Sequence, residues 1–152
     1  MLGQITAGSG LPETPIYLAA VNGTGVTGSI RPNLTGTSIH AAPAGFHLNA
    51  AAYTSPLPGT WGNAGRNSIT GPSQFTFNAS LQRTFRLKDR YNLDLRVDSV
   101  NLLNHVVFTS WNTTLNPALN PALSPASNSP LFGLPAAANA MRSLQTTLRL
   151  RF

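Results

Sequence analysis

The chain has 152 residues, and its 10 lysines and arginines against 4 aspartates and glutamates give a net charge of +6. The basic residues form no compact patch and accompany no recognition helix, zinc motif or aromatic-basic RNA signature, so nucleic acid is not an expected partner. Only 9% of the residues are charged, against about 25% in soluble domains. Because cysteine is absent, disulfides, thiolate nucleophiles and cysteine-ligated metals are excluded.

The N-terminal half contains few regular patterns. Residues 1–10 lack the basic stretch and apolar core of a secretory signal, and no apolar run approaches the roughly 18 residues of a spanning helix. For an envelope protein we therefore expect the export signal to lie elsewhere and the biological start to differ from Met1. Residues 1–9 are predicted to hold the end of a strand, and residues 10–73, rich in proline and glycine, to form a long loop.

Residues 74–103 are predicted to form a long β-hairpin. Apolar and polar residues alternate from Phe75 to Leu87 and again from Tyr91 to Val97, which is the two-residue period of a strand. The first run has 13 residues, whereas globular strands average about 5 to 6 and a strand that crosses a bilayer needs roughly 9 to 11. The hairpin is therefore long enough to span a membrane. Its turn is predicted at Lys88, Asp89 and Arg90.

The apolar face of this hairpin has two interpretations. In a soluble sandwich it would pack on a second sheet, whereas in an outer-membrane barrel it would face lipid. Periodicity alone does not separate them. In the barrel, the residues predicted to face lipid are Phe75, Phe77, Leu81, Phe85, Leu87, Tyr91, Leu93, Leu95 and Val97.

The second strand of the hairpin, residues 91–103, changes phase near Ser99. Val97 belongs to the odd-numbered face, but Val100 and Leu102 belong to the even-numbered one. A β-bulge is the economical explanation of this change.

The C-terminal third repeats the arrangement of loop and strand. Residues 104–143 are predicted to form a second long external loop, with a low-complexity near-repeat of Asn-Pro-Ala-Leu in residues 116–126. Residues 144–152 alternate again and are predicted to form the last strand, which ends on the aromatic Phe152.

The lengths of the connections predict an orientation. If Phe152 ends at the periplasmic rim, the turn after Leu87 is periplasmic, and residues 10–73 and 104–143 are both external, which is the distribution expected of outer-membrane barrels. Low charge with many neutral polar residues suits such a wall. The predicted fold is therefore all-β, with antiparallel strands of a transmembrane β-barrel wall and long Pro/Gly-rich loops.

The predicted barrel is incomplete. The smallest single-chain bacterial barrels use about 8 strands, whereas this chain offers three clear strands and a fourth weaker one. An unclosed sheet in lipid leaves backbone groups unpaired. The alternative is a small secreted or surface β-sandwich that acts as a binding or structural module.

Several segments resemble a known family. Residues 57–67, Leu-Pro-Gly-Thr-Trp-Gly-Asn-Ala-Gly-Arg-Asn, followed by Gly71-Pro72 and the strand from Phe75, resemble the C-terminal barrel region of Oar-like TonB-dependent receptors. Segments similar to those of the family occur in the same order at residues 9–12, 31–34, 91–97, 101–105 and 142–152.

The resemblance implies a Gram-negative outer-membrane receptor that takes up a large ligand with energy supplied through TonB. The plug and the TonB box of such receptors are not found in residues 1–152, which correspond to the C-terminal segment of the barrel. Transport is therefore expected only together with the N-terminal barrel and plug of the same receptor, and contact with TonB only through that plug. Outer-membrane lipid is the other expected partner.

The terminus resembles the signal that the barrel-assembly machinery recognises. Thr147 occupies the position where glycine is usual. The residues that match the signal are Gln145, Leu148, Leu150 and Phe152.

No catalytic, cofactor or metal site is predicted. His40, His47 and His105 are far apart and lack carboxylate or cysteine partners, so they are interpreted as loop surface residues. Asp94 and Asp98 share one face of a strand, but arginines nearby predict structural ion pairs, and an enzyme is not expected.

Arg83 is the one cation on the apolar face of the hairpin. An arginine at the middle of a membrane costs about 2–4 kcal/mol, and much less near an interface. Because Arg83 lies five residues before the turn, its side chain is predicted to extend to the periplasmic interface.

Overall fold

The computed structural model describes residues 1–26, 28–88, 90–116 and 130–152. These residues form an all-β structure with one short 3-10 turn at Ala50–Ala52, which confirms the all-β prediction. None of the helical structure in these ranges is long and apolar enough to cross a membrane. The strands are β1 (Leu2–Gly8), β2 (Pro12–Glu13), β3 (Ile16–Tyr17), β4 (Asn33–Leu34), β5 (Tyr53–Thr54), β6 (Ile69–Thr70), β7 (Gln74–Lys88), β8 (Tyr91–Val100), β9 (Phe108–Trp111), β10 (Thr114–Leu115), β11 (Pro135–Ala138) and β12 (Ser143–Arg151).

Four strands form the main sheet, in the order β1, β7, β8, β12, and every neighbouring pair is antiparallel. Gly8 pairs with Gln74, and Val100 pairs with Ser143. Both long connections therefore begin and end at one end of this sheet, and the short turn between β7 and β8 lies at the other end. Within the described residues the sheet is open, because β1 and β12 each pair with one neighbour.

The register of the main sheet brings most of the large apolar residues of its strands to one face, which we call the apolar face, whereas Leu2 and Val100 have the parity of the opposite face. Leu81 lies opposite Val97, and Leu95 lies opposite Leu148. A slip of one residue in any pairing would move a whole set of side chains to the other face. The opposite, polar face carries Gln74, Thr76, Asn78, Ser80, Gln82, Thr84, Arg86, Asn92, Asp94, Arg96, Asp98, Gln145, Thr147, Arg149 and Arg151.

The prediction of a β-bulge near Ser99 was wrong. Ser99 pairs with Ala79 on one side and with Leu144 on the other without a change of register, and β8 ends at Val100 instead of continuing to residue 103. Val100 keeps the regular alternation and lies on the polar face, and the strand ends after it at Asn101, which has a φ of 51°. This left-handed conformation, which asparagine tolerates, turns the chain out of the sheet.

A register irregularity occurs instead near the turn. Arg86 pairs with Asn92 and Lys88 pairs with Tyr91, so Leu87 is an extra residue on β7. The backbone pairing thus continues to Lys88, and positions 89 and 90 connect the two strands. Of the predicted turn residues, Asp89 lies outside the described residues.

Residues 10–72 and 108–137 form a second compact unit, which we call the loop unit. Its short strands pair β2 with β6, β3 with β10, β4 with β5, and β9 with β11. The β3–β10 pair joins the two regions that were predicted to be separate long loops. These regions fold around one hydrophobic core, which consists of Tyr17, Val21, Ile30, Leu48, Ala52, Tyr53, Ala64, Ile69, Leu115 and Phe132.

Truncating the centre of this core should destabilise the loop unit. Phe132 is 1% exposed, and its ring meets that of Tyr53 edge-on with 5.7 Å between centroids. We expect Phe132→Ala to cost about 3–5 kcal/mol, because the cavity left by the ring cannot fully collapse. Tryptophan fluorescence during urea unfolding measures this loss, since Trp61 and Trp111 both lie in the loop unit.

The neighbouring Leu131, which is 51% exposed, provides the matched control. Leu131→Ala should change the unfolding free energy by no more than about 0.5 kcal/mol. Equal losses for the two variants would contradict the proposed position of the core.

Candidate functional site

The nine residues predicted to face lipid lie on β7 and β8. Leu87 occupies the register irregularity, and the other eight have the odd-numbered parity of the apolar face. Leu81 is 57% exposed and Leu148, on the same face of β12, is 65% exposed. The apolar face therefore presents large hydrophobic side chains that the described residues leave uncovered. Whether they face lipid stays a prediction.

The charged side chains of the polar face form ion pairs. Asp94 Oδ1 accepts hydrogen bonds from Thr84 Oγ1 at 2.6 Å and from Arg151 Nη2 at 3.0 Å, and Arg151 Nε lies 2.9 Å from Asp94 Oδ2. Asp98 Oδ2 lies 2.8 Å from Arg96 Nε. Each aspartate of the candidate carboxylate pair is thus bound to its own arginine. This geometry favours a structural role over acid–base chemistry.

The residues of the predicted assembly signal lie on or beside β12. Gln145 is on the polar face opposite Asp98, whereas Leu148 and Leu150 are on the apolar face opposite Leu95 and Leu93. Phe152 follows the last paired residue of the strand and is 94% exposed. The recognition of these residues by the assembly machinery stays a prediction.

The three histidines do not come together into a metal site. His47 stacks on Trp111 with 4.1 Å between ring centroids and an angle of 18°. The backbone N–H of His105 donates to Asn101 Oδ1 at 3.1 Å, and the backbone N–H of His40 donates to Ser38 Oγ at 3.3 Å. Among the described residues, no group of three or more histidine, aspartate or glutamate side chains could hold a metal ion.

The glycine-rich segment 62–67 packs against residues 31–34 in the loop unit. Asn63 N–H donates to Asn33 Oδ1 at 3.0 Å, while Leu34 N–H donates to Asn63 Oδ1 at 2.7 Å. Arg31 Nη1 donates to the carbonyl oxygen of Ala64 at 2.9 Å. The segment therefore has a structural role within the loop unit.

A second pair of sequence motifs also meets in the loop unit. Asn67, with a φ of 56°, donates its N–H to Thr14 Oγ1 at 2.9 Å, and Thr14 Oγ1 donates to Asn67 Oδ1 at 3.1 Å. Gly71 N–H donates to the carbonyl oxygen of Leu11 at 2.8 Å. The motifs at 9–12 and 31–34 are thus found beside the later motifs of the same predicted loop.

Sequence reasoning missed Glu13. Its Oε1 and Oε2 accept the backbone N–H of Trp111 at 3.1 Å and 3.3 Å, so β2 is connected to β9 across 98 positions. Partial burial raises the pKa of the Glu13 carboxyl, and the Trp111 N–H opposes this rise. A lone glutamate within a proline-rich stretch carries no periodic or motif signal that could have revealed the contact.

Gly62 should be required at its position. An added Cβ would overlap the carbonyl oxygens of Arg31 and Pro32, whereas at Gly65 the nearest atom is the exposed Ser68 Cβ at 3.3 Å. We expect Gly62→Ala to destabilise the loop unit by about 1–3 kcal/mol, as overpacking does, and Gly65→Ala to have little effect. Urea unfolding followed by tryptophan fluorescence compares them, and equal stability of the two variants would contradict the packing of the two segments.

Glu13 should make the loop unit less stable as the pH rises through its carboxyl pKa. A raised pKa in the folded state means that the folded unit binds the proton more tightly than the unfolded chain, so this contribution is present below the unfolded pKa and is lost above the folded one. Glu13→Gln keeps the oxygen that accepts from Trp111 and should remove this pH dependence. Glu13→Ala should cost about 1–3 kcal/mol, because the Trp111 N–H loses its acceptor.

Urea midpoints of the three chains between pH 4 and 8, read by tryptophan fluorescence, measure these effects. The same pH dependence in Glu13→Gln as in the unsubstituted chain would exclude Glu13 as its source. Equal stability of the Gln and Ala variants would show that the contact with Trp111 contributes nothing.

The comparison with known families agrees with this sheet of two unlike faces. Residues 1–145 match the family model described as an outer membrane beta barrel domain. The matched residues include β1, β7, β8 and the start of β12. No curated protein and no solved structure matches the chain. The antiparallel strands are thus strands of a barrel wall located in the outer membrane, and the chain belongs to the outer membrane β-barrel domain family.

Proposed function

We propose that this chain forms the C-terminal part of the barrel wall of an Oar-like TonB-dependent receptor. In this role it contributes structure to the uptake of a large ligand, together with the remaining strands and the plug of the same receptor. TonB acts on the plug, and the chain itself has no catalytic role. The observation that carries the proposal is the open, antiparallel four-stranded sheet in which β7, β8 and β12 bring most of their large apolar side chains to one face.

The exposure of the apolar face supports the proposal that this face contacts lipid. In a β-sandwich the face that carries Leu81, Leu95 and Leu148 would be covered by a second sheet. Leu81 and Leu148 are more than half exposed in the structure. Lipid contact stabilises such a face, whereas water would not.

The open edges of the sheet support a larger assembly. An unpaired backbone N–H or C=O in hydrocarbon costs several kcal/mol, and the outer edges of β1 and β12 each present a row of them. Further strands of the same receptor would pair with both edges and close the barrel. Because a barrel needs at least about 8 strands, the four strands here require such partners.

The connections support the orientation of the wall. The short turn after β7 suits the periplasmic side, and the two long connections that form the loop unit suit the external side. Motifs that resemble the receptor family pair with one another inside this unit, at Asn33 with Asn63 and at Leu11 with Gly71. External loops of that kind are the part of a receptor that first meets its ligand.

Charge placed on the apolar face should prevent insertion. Leu81 lies near the middle of β7, and we expect Leu81→Arg to destabilise the inserted wall by about 2–4 kcal/mol. The adjacent Ser80 lies on the polar face opposite Asp98, so Ser80→Arg should be tolerated. Outer-membrane fractionation and heat-modifiable gel migration, measured after export in a Gram-negative host, compare the two variants with the unsubstituted chain.

Equal insertion of both variants would contradict the lipid-facing assignment. A monomeric chain that is soluble without detergent would overturn the wall itself and favour the β-sandwich. The receptor assignment has a separate test in the DNA immediately upstream of Met1, which should encode further strands, a plug and a signal peptide. An unrelated, well-separated gene at that place would refute it.

A further inference from the structure

Arg83 is a cation that shares its face of the sheet with no acidic residue among those described. It lies on the apolar face directly opposite Leu95, between Leu81 and Phe85 on its own strand. None of the described residues that share the apolar face of the main sheet is acidic. The four acidic residues of the chain therefore supply no described partner on this face.

The guanidinium of Arg83 lies over the ring of Phe85. Its Cζ lies 5.3 Å from the centroid of the Phe85 ring, which is two residues closer to the end of β7. Within the described part of the chain it makes no hydrogen bond to a protein group and no ion pair. The ring stabilises the charge, but the five N–H donors of the guanidinium still need acceptors.

The backbone of Arg83 lies inside the apolar band, within reach of the periplasmic interface for an extended side chain. β7 has 15 residues, which at a rise of about 3.4 Å and a tilt of about 40° span about 39 Å along the membrane normal. The apolar band of such a wall is about 25 Å tall. With the band centred on the strand, Arg83 is two residues beyond the middle residue Leu81, which places it about 5 Å from the centre of the band and about 7 Å inside its periplasmic boundary. An extended arginine side chain reaches that boundary.

We propose that Arg83 binds the phosphate of a phospholipid headgroup in the periplasmic leaflet. The guanidinium fork matches phosphate geometry with two parallel hydrogen bonds. Leu81, Phe85 and Leu95 provide an apolar surface beside it for the glycerol and acyl chains. This site deepens the proposed function and rests on its assignment of the apolar face to lipid.

Arg86 provides a matched control on the same strand. It lies three residues from Arg83 but on the polar face, opposite Asn92. Arg83→Gln and Arg86→Gln therefore remove the same charge from the same strand, and differ in which face loses it. Arg83→Lys keeps the charge and removes the fork.

The test uses the full 152-residue chain and its variants in maltoside micelles, which carry no phosphate. Circular dichroism and size exclusion first establish whether the chain holds β-structure in detergent. The number and affinity of bound lipids are then measured by native mass spectrometry, with phosphatidylglycerol, diacylglycerol without a phosphate, and inorganic phosphate as probes. We expect Arg83→Gln to bind phosphatidylglycerol about tenfold more weakly, Arg83→Lys to be intermediate, and Arg86→Gln to equal the unsubstituted chain.

The outcomes separate the site from the function on which it rests. A chain that is a soluble monomer without detergent would overturn both. A detergent-bound β-sheet in which Arg83→Gln and Arg86→Gln bind phosphatidylglycerol equally would overturn the lipid site alone. Equal binding of diacylglycerol would exclude the phosphate as the recognised group, and full competition by inorganic phosphate would replace the lipid with a free anion.

Discussion

The antiparallel register of the main sheet is the constraint on which the rest of the structure depends. The side chains of a strand alternate strictly between two faces. A register shift of one residue would therefore move every apolar side chain of that strand to the polar face and every polar one to the apolar face. The pairing of β7 with β8 is continuous from Ala79–Ser99 to Arg86–Asn92, and the single irregularity in it falls beside the turn. The irregularity in register is therefore confined to the turn end of the hairpin, where it displaces the fewest side chains.

The same constraint explains why the long connections fold as they do. The chain leaves the sheet after Gly8 and after Val100. Beyond these residues the backbone N–H and C=O groups need new hydrogen-bond partners. In the loop unit many of them find partners in short strand pairs and in asparagine and threonine side chains, as between Asn33 and Asn63. A hydrophobic core around Ile30, Leu115 and Phe132 holds these segments together. The proline and glycine of this region thus shape a compact unit.

The sequence was sufficient for the features that depend on local period. Alternation from Phe75 to Leu87 predicted β7 and its two faces, because consecutive side chains of a strand point to opposite faces and the polarity of each residue indicates its face. It was insufficient at Val100, because an apolar residue on the polar face at the end of β8 produces the same sequence pattern as a bulge. It could not reveal the contact of Glu13 with Trp111, because 98 positions separate them and the contact depends on the fold of both loops.

The last strand illustrates how charge specifies register without adding much stability. The ion pair of Arg151 with Asp94 is partly exposed, with 53% and 14% of the two side chains accessible, and ion pairs in contact with solvent add little stability. In β12, however, Arg149 and Arg151 alternate with Leu148 and Leu150. A slip of one residue against β8 would place both arginines on the apolar face, and an arginine there costs about 2–4 kcal/mol at the middle of the membrane and less towards the periplasmic end, where Arg151 lies beside the turn. The cost of the wrong register, more than the strength of the ion pair, therefore fixes the position of this strand.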